Sequence, residues 1–208
     1  MVIRNFLVFE GGDGSGTSTQ LGLLKGRLAA ELRRAPFSAG FEPTDGPIGA
    51  LVRKALRGDP PLRPETVARL FAADRGEHLY GSGGIVERSA RGELVVSDRY
   101  VPSSLVYQGI ACGGDLPAVL NAPFPKPELV LYFDIDPRTA LERIASRPDK
   151  DEFERLDFQL LVRQRYELVL ASYAEEGTRI ARIDASRSVD EVSEQVWSEV
   201  KKMPIFSV

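Results

Sequence analysis

Residues 3–18 read IRNFLVFEGGDGSGTS, and this stretch decides the fold. Its first part, residues 3–9, is a short apolar run rich in strand-forming residues, and it ends in a cluster of glycines. Further along, leucines recur at the spacing of one helix face, at Leu21, Leu24, Leu28 and Leu32. The pattern therefore predicts a strand, a glycine-rich loop and a helix in immediate succession.

The loop between this strand and this helix follows the pattern G-x-x-x-x-G-K-[ST] except at one place, where Thr17 replaces the lysine. Glycines in such loops let main-chain N–H groups surround an anion, and the helix N-terminus adds partial positive charge. The predicted nucleotide-phosphate site comprises Gly11, Gly12, Asp13, Gly14, Ser15, Gly16, Thr17, Ser18 and Thr19. Ser18, or else Thr19, is expected to place a hydroxyl on Mg²⁺. The alternative is a glycine-rich turn that only caps the helix.

Loss of the loop lysine removes a point charge from the β- and γ-phosphates, since threonine offers only a neutral hydrogen bond. If the loss of the lysine has the same effect as removing one preorganised hydrogen-bond donor, it raises the activation free energy by about 3–4 kcal/mol and lowers the rate by about 10²–10³-fold. Either another cation compensates, or the protein binds nucleotide without fast turnover. Arg99, Arg143 and Arg147 are the candidate cations, because they flank other predicted site segments.

Strand and helix patterns alternate along the rest of the chain. Further strands are predicted at residues 37–41, 94–96, 129–134 and 179–184, and helices at residues 49–56, 64–78, 137–147, 162–173 and 189–200. Residues 110–127 are rich in glycine and proline and are interpreted as a loop with room for one turn of helix. The alternation predicts one P-loop domain over residues 1–208, an α/β fold of three layers with helices on both faces of a five-stranded parallel sheet.

Composition excludes several classes of function. The chain has 208 residues, of which 27 are basic and 30 acidic, so its net charge of −3 argues against a generic nucleic-acid binder. The longest unbroken apolar run, residues 129–133, is far too short to span a membrane, and the N-terminus has no secretory signal pattern. The single cysteine, Cys112, excludes an internal disulfide framework and indicates a reducing, cytoplasmic location.

Asp98 follows the apolar strand at residues 94–96. A carboxylate at a strand end beside a phosphate loop is where Mg²⁺ or its water shell is held, so Asp98 and Ser18 are the predicted metal ligands. Arg99, the next residue, has the planar fork that bridges phosphates. Without the glycine loop, this Asp-Arg pair would be explained as readily by a turn or a surface ion pair.

A helix face in the middle of the chain carries residues suited to a nucleotide. Phe71, Arg75 and His78 share this face, where Phe71 is placed to stack on a base and Arg75 to reach a phosphate. His78 is interpreted as a polar residue of the helix surface. Arg53, on the preceding short helix, is a further candidate for phosphate. The alternatives are a core phenylalanine with solvated arginines.

A second set of polar residues follows the strand-end Asp98 at helical spacing. Ser103 pairs with Tyr107 and Ser104 with Gln108, each four residues apart, so both pairs can face the polar edge of a base and a sugar. The alternative explanation is helix capping together with packing.

Seven short segments occur in a recognisable order: FEGGDGSG at 9–16, STQ at 18–20, EPT at 42–44, GPIG at 46–49, LFAADR at 70–75, SDRY at 97–100 and YQG at 107–109. This ordered set resembles the thymidylate kinases, in the nucleoside monophosphate kinase group of P-loop proteins. The resemblance extends over almost the whole chain. No segment is decisive alone, but the order is highly specific.

The resemblance implies phosphoryl transfer from MgATP to dTMP, giving dTDP and ADP, a step of dTTP biosynthesis. It implies that Asp13 holds the sugar of dTMP and helps to align the phosphates, that Phe71 stacks on thymine, and that Tyr107 crowds the 2′ position. Asp98 would act on Mg²⁺, and Arg99 would lie between the phosphates. The remaining implied contacts with dTMP are phosphate to Arg53 and Arg75, the thymine edge to Gln108 with Ser103 or Ser104, and the pocket wall to Glu42 and Pro43.

Three donor-side cations that are usual in this family are absent. Thr17 replaces the loop lysine, the loop lacks the arginine that some members carry after its aspartate, and the lid motif Asp-Arg-Phe-Glu appears as DEFE at residues 151–154. The lid is expected at about residues 147–154, where Arg147 and Lys150 would supply the charge, while Arg143 would pack on adenine. A homodimer is expected, with neither nucleic acid nor membrane as partner. The alternatives are a catalytically weak nucleotide-binding module or a kinase for another nucleoside monophosphate.

Overall fold

In the residues that the structure describes, a parallel sheet of five strands lies at the centre. The structure is a computed structural model, and it describes residues 1–31, 36–144 and 156–206. The strands are β1 (Val2–Gly11), β2 (Phe37–Phe41), β3 (Leu94–Asp98), β4 (Lys126–Asp134) and β5 (Arg179–Asp184). Their order across the sheet is β2-β3-β1-β4-β5, and each neighbouring pair is parallel. The predicted α/β fold with a five-stranded parallel sheet is confirmed.

Helices connect the strands and cover both faces of the sheet. They are α1 (Thr17–Glu31), α2 (Pro47–Leu56), α3 (Pro64–Tyr80), α4 (Ile85–Ala90), α5 (Val101–Cys112), α6 (Leu116–Asn121), α7 (Pro137–Ile144), α8 (Leu156–Glu175) and α9 (Val189–Val200), followed by a 3₁₀ turn at Pro204–Phe206. Within the described ranges, none of these helices has the combination of length and apolar character that crossing a membrane requires.

Two hydrophobic clusters form the core, one on each face of the sheet. Successive side chains of a strand point to opposite faces, and β1 shows this clearly. Leu7 and Phe9 pack in one cluster with α1 and α9. Phe6 and Val8 pack in the other with α5 and α8. Because residues 6–9 of β1 are buried on both faces, they form a continuous apolar run, as is usual for a central parallel strand.

The boundaries of several elements differ from those predicted. The predicted loop at residues 110–127 is wrong in part: α5 extends to Cys112, and α6 covers Leu116–Asn121. The sequence did not indicate α6 because the stretch is rich in glycine and proline, which is typical of a loop. Pro117 lies in the first turn of this helix, where proline is tolerated. Trp197 of α9 is buried in the core. Leu32 and the predicted end of α7 near Arg147 lie outside the described residues.

The register of the sheet brings the functional segments to one edge. Phe9 is paired with Asp98, and Asp98 is also paired with Phe41. The carboxyl ends of β1, β2 and β3 therefore meet at the same edge. In open parallel sheets, ligands bind in the crevice at this edge, where the chain connections reverse direction.

Candidate active site

The glycine loop joins β1 to α1 at the carboxyl edge of the sheet. Gly14 and Gly16 have φ of +80° and +89°, a conformation that side chains other than glycine rarely adopt. At Gly14, a Cβ atom would also overlap the carbonyl oxygen of Ala140. The helix begins at Thr17, so the first main-chain N–H groups of α1 have no partner within the helix. This arrangement suits an anion held by main-chain donors.

Arg99 is the cation that contacts the glycine loop within the described part of the chain. Its Nη2 lies 2.6 Å from Asp13 Oδ1, and its Nη1 donates to Ser103 Oγ at 3.2 Å. Its guanidinium carbon lies 5.1 Å from the centre of the Tyr107 ring. The main chain holds the residue in place, because Arg99 has φ of +70° and its N–H donates to the Phe9 carbonyl at 2.9 Å. Burial and the nearby Asp13 carboxylate raise the pKa of the Tyr107 phenol, so its proton stays in place.

The other candidate cations are engaged elsewhere or lie outside the described residues. Arg143 donates from Nη1 to the Ala185 carbonyl at 2.8 Å. Arg163, which the sequence did not single out, lines a small cleft with loop residues but pairs with Asp134 Oδ1 at 3.0 Å. Arg147 and the expected lid at residues 147–154 are not among the described residues. Among the described residues, Arg99 is therefore the arginine that contacts the loop.

The predicted metal ligands lie together at the start of α1 and the end of β3. Ser18 Oγ donates to Asp98 Oδ2 at 2.8 Å. Asp98 Oδ1 is buried and has no hydrogen-bond partner in the described residues. These residues also contain no cluster of three or more His, Cys, Asp or Glu side chains that would form an all-protein metal cage. A hydroxyl and one carboxylate with a spare oxygen fit Mg²⁺, which is commonly held by one or two carboxylates together with substrate phosphates.

A cavity of about 180 Å³ opens directly beside the loop. Its walls come from the loop itself, the end of β2, and helices α2, α3 and α5. The residues that line it are Asp13, Glu42, Pro43, Leu56, Phe71, Arg75, Arg99, Tyr100, Ser103, Ser104, Tyr107 and Gln108. The structure thus brings together every residue predicted to bind the second substrate except Arg53, and it adds Leu56 and Tyr100, two residues that the sequence did not single out.

The guanidinium of Arg75 is fixed at the α3 wall of the cavity. Its side chain is 1% exposed, and its Nη2 lies 2.7 Å from Glu42 Oε2. Nη2 also donates to Ser104 Oγ at 2.9 Å, and Nη1 donates to Asn121 Oδ1. Because breaking a buried pair leaves an uncompensated charge, this arginine is not free to swing toward the loop.

Glu42 also contacts His78, contrary to the interpretation of His78 as a surface residue. His78 Nδ1 lies 3.1 Å from Glu42 Oε1, and its side chain is only 18% exposed. The strand β2 passes beside α3 and covers this histidine, since a Cβ at Gly40 would lie 3.2 Å from His78 Nε2. The contact joins residues 36 positions apart, so helical spacing alone did not indicate it.

Arg53 lies outside the cavity lining but is tied to the segment that forms its wall. Its Nη1 donates to the carbonyls of Pro43 and Thr44 at 2.7 and 2.6 Å. Thr44 is in turn held by Asp74, which accepts from its main-chain N–H at 2.7 Å and from its hydroxyl at 2.6 Å. The side chain of Arg53 is one-third exposed, and its Nη2 lies 3.6 Å from Oδ1 of the exposed Asp45.

Glu10, for which the sequence suggested no role, is fully buried beside the loop. Its Oε1 accepts from the main-chain N–H of Tyr100 at 2.9 Å and of Ser103 at 3.3 Å. Its Oε2 accepts from Ser103 Oγ at 2.6 Å and from the Tyr166 hydroxyl at 3.0 Å. Burial raises the pKa of the Glu10 carboxyl to about 7, although these hydrogen bonds and Arg99 oppose the rise. The available signal was a charged residue at the end of an apolar strand.

Comparison with known proteins identifies similar sequences over nearly the whole chain. The family model described as thymidylate kinase matches residues 9–196. A putative thymidylate kinase of Treponema pallidum is 40% identical over 204 residues, which cover 97% of each chain. A probable thymidylate kinase of Pyrobaculum aerophilum is 39% identical over 203 residues, covering 97% of this chain and 98% of the relative. A thymidylate kinase of a Synechococcus species is 36% identical over 206 residues, 96% of each chain.

Proposed function

The chain belongs to the thymidylate kinase family, and from this we propose that it transfers the γ-phosphoryl group of ATP to dTMP, giving dTDP and ADP. One observation supports this most strongly: the cavity borders the glycine loop through Asp13 and Arg99, whose charged groups are 2.6 Å apart. A monophosphate in the cavity and a triphosphate on the loop would meet at this ion pair. In-line phosphoryl transfer depends on that kind of positioning.

The orientation of dTMP follows from the two ends of the cavity. Its phosphate must lie near the loop, where the donor arrives, so Asp13, Arg99 and Ser103 mark the phosphate and sugar end. Phe71 and Arg75 then mark the base end, together with Ser104 and Gln108. The sequence led us to expect phosphate on Arg75, but its buried contacts with Glu42, Asn121 and Ser104 favour a role at the base. Arg53 and Arg99 remain the proposed ligands of the dTMP phosphate.

Four further roles around dTMP are proposed for residues at the cavity. Phe71 stacks on thymine, and Gln108 with Ser104 faces its polar edge. Tyr107, whose ring lies beside the Arg99 guanidinium, crowds the 2′ position. Glu42 and Pro43 form the wall between α3 and the end of β2.

On the donor side, the main-chain N–H groups of the loop hold the ATP phosphates, and Arg99 neutralises charge between donor and acceptor. Ser18 and Asp98 would hold Mg²⁺, which neutralises charge on the phosphates when it is bound. We further propose that Arg147 supplies charge from a lid at residues 147–154 and that Arg143 packs on adenine. These two proposals rest on the sequence alone.

We also propose the domain organisation, location and oligomeric state of the chain. Residues 1–208 are proposed to form one kinase domain, since the family model covers most of them. The single cysteine, which is not part of a disulfide, supports a cytoplasmic location. A homodimer is proposed from the family resemblance.

The decisive experiment is a steady-state assay of ADP formation with ATP and a panel of monophosphates. We expect dTMP to give the highest kcat/KM, with dUMP about 10- to 200-fold lower because it lacks the methyl group. We expect Arg147→Ala to lower kcat far more than it raises the KM for dTMP. If another monophosphate gives the highest kcat/KM, the acceptor assignment is wrong.

A second candidate function, a nucleotide-binding module with little turnover, is suggested by Thr17 in place of the loop lysine. The same assay separates it from the kinase. ADP formation at background level, combined with calorimetric binding of both nucleotides, would support the module and overturn the kinase.

A further inference from the structure

The start of α5 is held by a carboxylate from another element. Tyr100 occupies the N-cap position of this helix, and its own side chain makes no capping hydrogen bond. Pro102 in the first turn has no N–H to offer. Glu10 fills the role from β1, because its Oε1 accepts from the N–H groups of both Tyr100 and Ser103. A negative group at a helix N-terminus is also favoured by the helix dipole.

The helix that Glu10 holds carries much of the acceptor cavity. The cavity is lined from α5 by Ser103, Ser104, Tyr107 and Gln108, and Arg99 directly precedes the N-cap residue of this helix. Glu10 is also the residue directly before the glycine loop. One side chain therefore connects the chain entering the donor loop with the helix that forms the acceptor site.

A third element joins this connection through Tyr166 of α8. Its hydroxyl lies 3.0 Å from Glu10 Oε2, 3.0 Å from Ser103 Oγ and 3.3 Å from the Gly11 carbonyl oxygen. Through the Gly11 contact, this hydrogen-bond network includes the first glycine of the loop. The titratable and charged groups that act on the Glu10 carboxyl are Arg99 from the β3–α5 junction, Tyr107 from α5, and Tyr166 and Tyr173 from α8.

We propose that Glu10 is a positioning residue that sets the acceptor face of α5 and Arg99 against the glycine loop. The role rests on the proposed kinase function, and it concerns a fully buried residue that does not line the cavity. A carboxylate suits this position because its two oxygens serve four donors at once, two from the main chain and two from hydroxyls. An amide retains one acceptor oxygen for the main chain and can donate to the hydroxyls.

The test compares Glu10→Gln, Glu10→Asp and Glu10→Ala in the full chain. Glu10→Ala removes the cap, so we expect the dissociation constant for dTMP to rise about tenfold and kcat to fall about 10²-fold. The dissociation constant for an unhydrolysable ATP analogue should change by less than about threefold, because the loop keeps its own main-chain donors. Glu10→Gln should restore dTMP binding and kcat to within about threefold of the parent. A purely structural role would weaken the binding of both nucleotides together.

Glu10→Asp covers the case in which the alanine variant does not fold. It keeps the charge but withdraws the carboxylate by one methylene group, so it should show the same selective loss of dTMP binding. Amide exchange at Tyr100 and Ser103 measures the cap without substrate: protection should persist in Glu10→Gln and fall in Glu10→Asp. Equal protection in both variants, or equal loss of ATP and dTMP binding, overturns the proposal. Absence of dTDP formation by the unmodified protein would instead count against the kinase function.

Discussion

Ser18 Oγ donates a hydrogen bond of 2.8 Å to Asp98 Oδ2, which joins the first turn of α1 to the end of β3. The two residues are 80 positions apart, and the parallel register of β1 and β3 brings them together. The second oxygen of Asp98 is buried and has no hydrogen-bond partner within the described ranges. Since a buried carboxylate oxygen without a partner is unfavourable, this atom is the natural contact for a cation or its water.

Asp98→Asn tests this site through the Mg²⁺ requirement. The amide removes the negative charge, so we expect kcat to fall about 10²-fold and the Mg²⁺ concentration for half-maximal rate to rise. Ser18→Ala should produce a smaller change in the same direction. The measurement is a Mg²⁺ titration of ADP formation at saturating ATP and dTMP. Asp190→Asn, at an exposed carboxylate on α9, is the matched control. An unchanged Mg²⁺ dependence in Asp98→Asn would remove Asp98 from the metal site.

Arg99→Lys tests whether the fork of the guanidinium is needed. Arg99 contacts Asp13 and Ser103 from separate nitrogens, and a single ammonium cannot reproduce both contacts. We expect kcat to fall about 10²-fold while the charge is retained. Arg187→Lys, at an exposed arginine, serves as the control for general effects of the exchange. Full activity of Arg99→Lys would show that charge alone suffices at this position.

Thr17→Lys asks whether the loop is impaired or rebuilt. The kinase proposal requires that another cation already neutralises the donor phosphates, so an added lysine would bring no further stabilisation of the transition state. We therefore expect kcat to stay level or to fall when the lysine is introduced. Steady-state kinetics with ATP and dTMP measure the outcome. A rise of about 10²-fold would instead mean that the missing lysine limits the reaction.

Local patterns predicted the elements whose sequence repeats with a clear period. The edge strands Phe37–Phe41 and Arg179–Asp184 have the predicted bounds, and the glycine loop lies at the junction indicated by its motif. The short helix α6 has no such periodicity, and Pro117 in its first turn led to the prediction of a loop. Its residue Asn121 contacts Arg75 across 46 positions, so no local pattern could reveal that contact.

Candidate site residues were recognisable by type, but their partners were not. Phe71 and Gln108 line the cavity as their helical spacing suggested. Glu10 and His78 depend on contacts with residues 93 and 36 positions away. Such contacts can be predicted only when the sheet order is known, because they require β1 to lie beside β3 and β2 to pass α3.

Glu42→Ala tests the buried pair at the base end of the cavity. Removing the carboxylate leaves the Arg75 guanidinium, which is 1% exposed, without its counter-charge. We expect the free energy of unfolding to fall by about 3–5 kcal/mol, because a buried charge is left unpaired. Urea unfolding measures the change. Glu194→Ala removes an exposed partner of Arg27 and should leave the unfolding midpoint unchanged. Equal urea midpoints for the two variants would mean that the buried Glu42–Arg75 pair contributes no more to stability than the exposed Glu194–Arg27 pair.

Glu10 should also make the stability of the fold depend on pH. Its carboxyl has a pKa of about 7 in the folded chain, compared with 4.5 when unperturbed, because burial disfavours the charged form. Between these values the folded state keeps a proton that the unfolded state has lost, so this group's contribution to stability is fully present below about pH 4.5 and is lost as the pH rises to about 7. The shift corresponds to about 3 kcal/mol.

Glu10→Gln removes this titration, so the variant should gain stability relative to the parent as the pH rises. We expect the difference in unfolding free energy between variant and parent to increase by about 3 kcal/mol from about pH 4.5 to about pH 8. Urea unfolding of both proteins across this range gives the difference, which cancels the other titrating groups. Glu142→Gln, at an exposed glutamate, controls for the general effect of exchanging glutamate for glutamine. A flat difference for Glu10→Gln would mean that the carboxyl is ionised throughout, and that its four hydrogen bonds outweigh the burial of its charge.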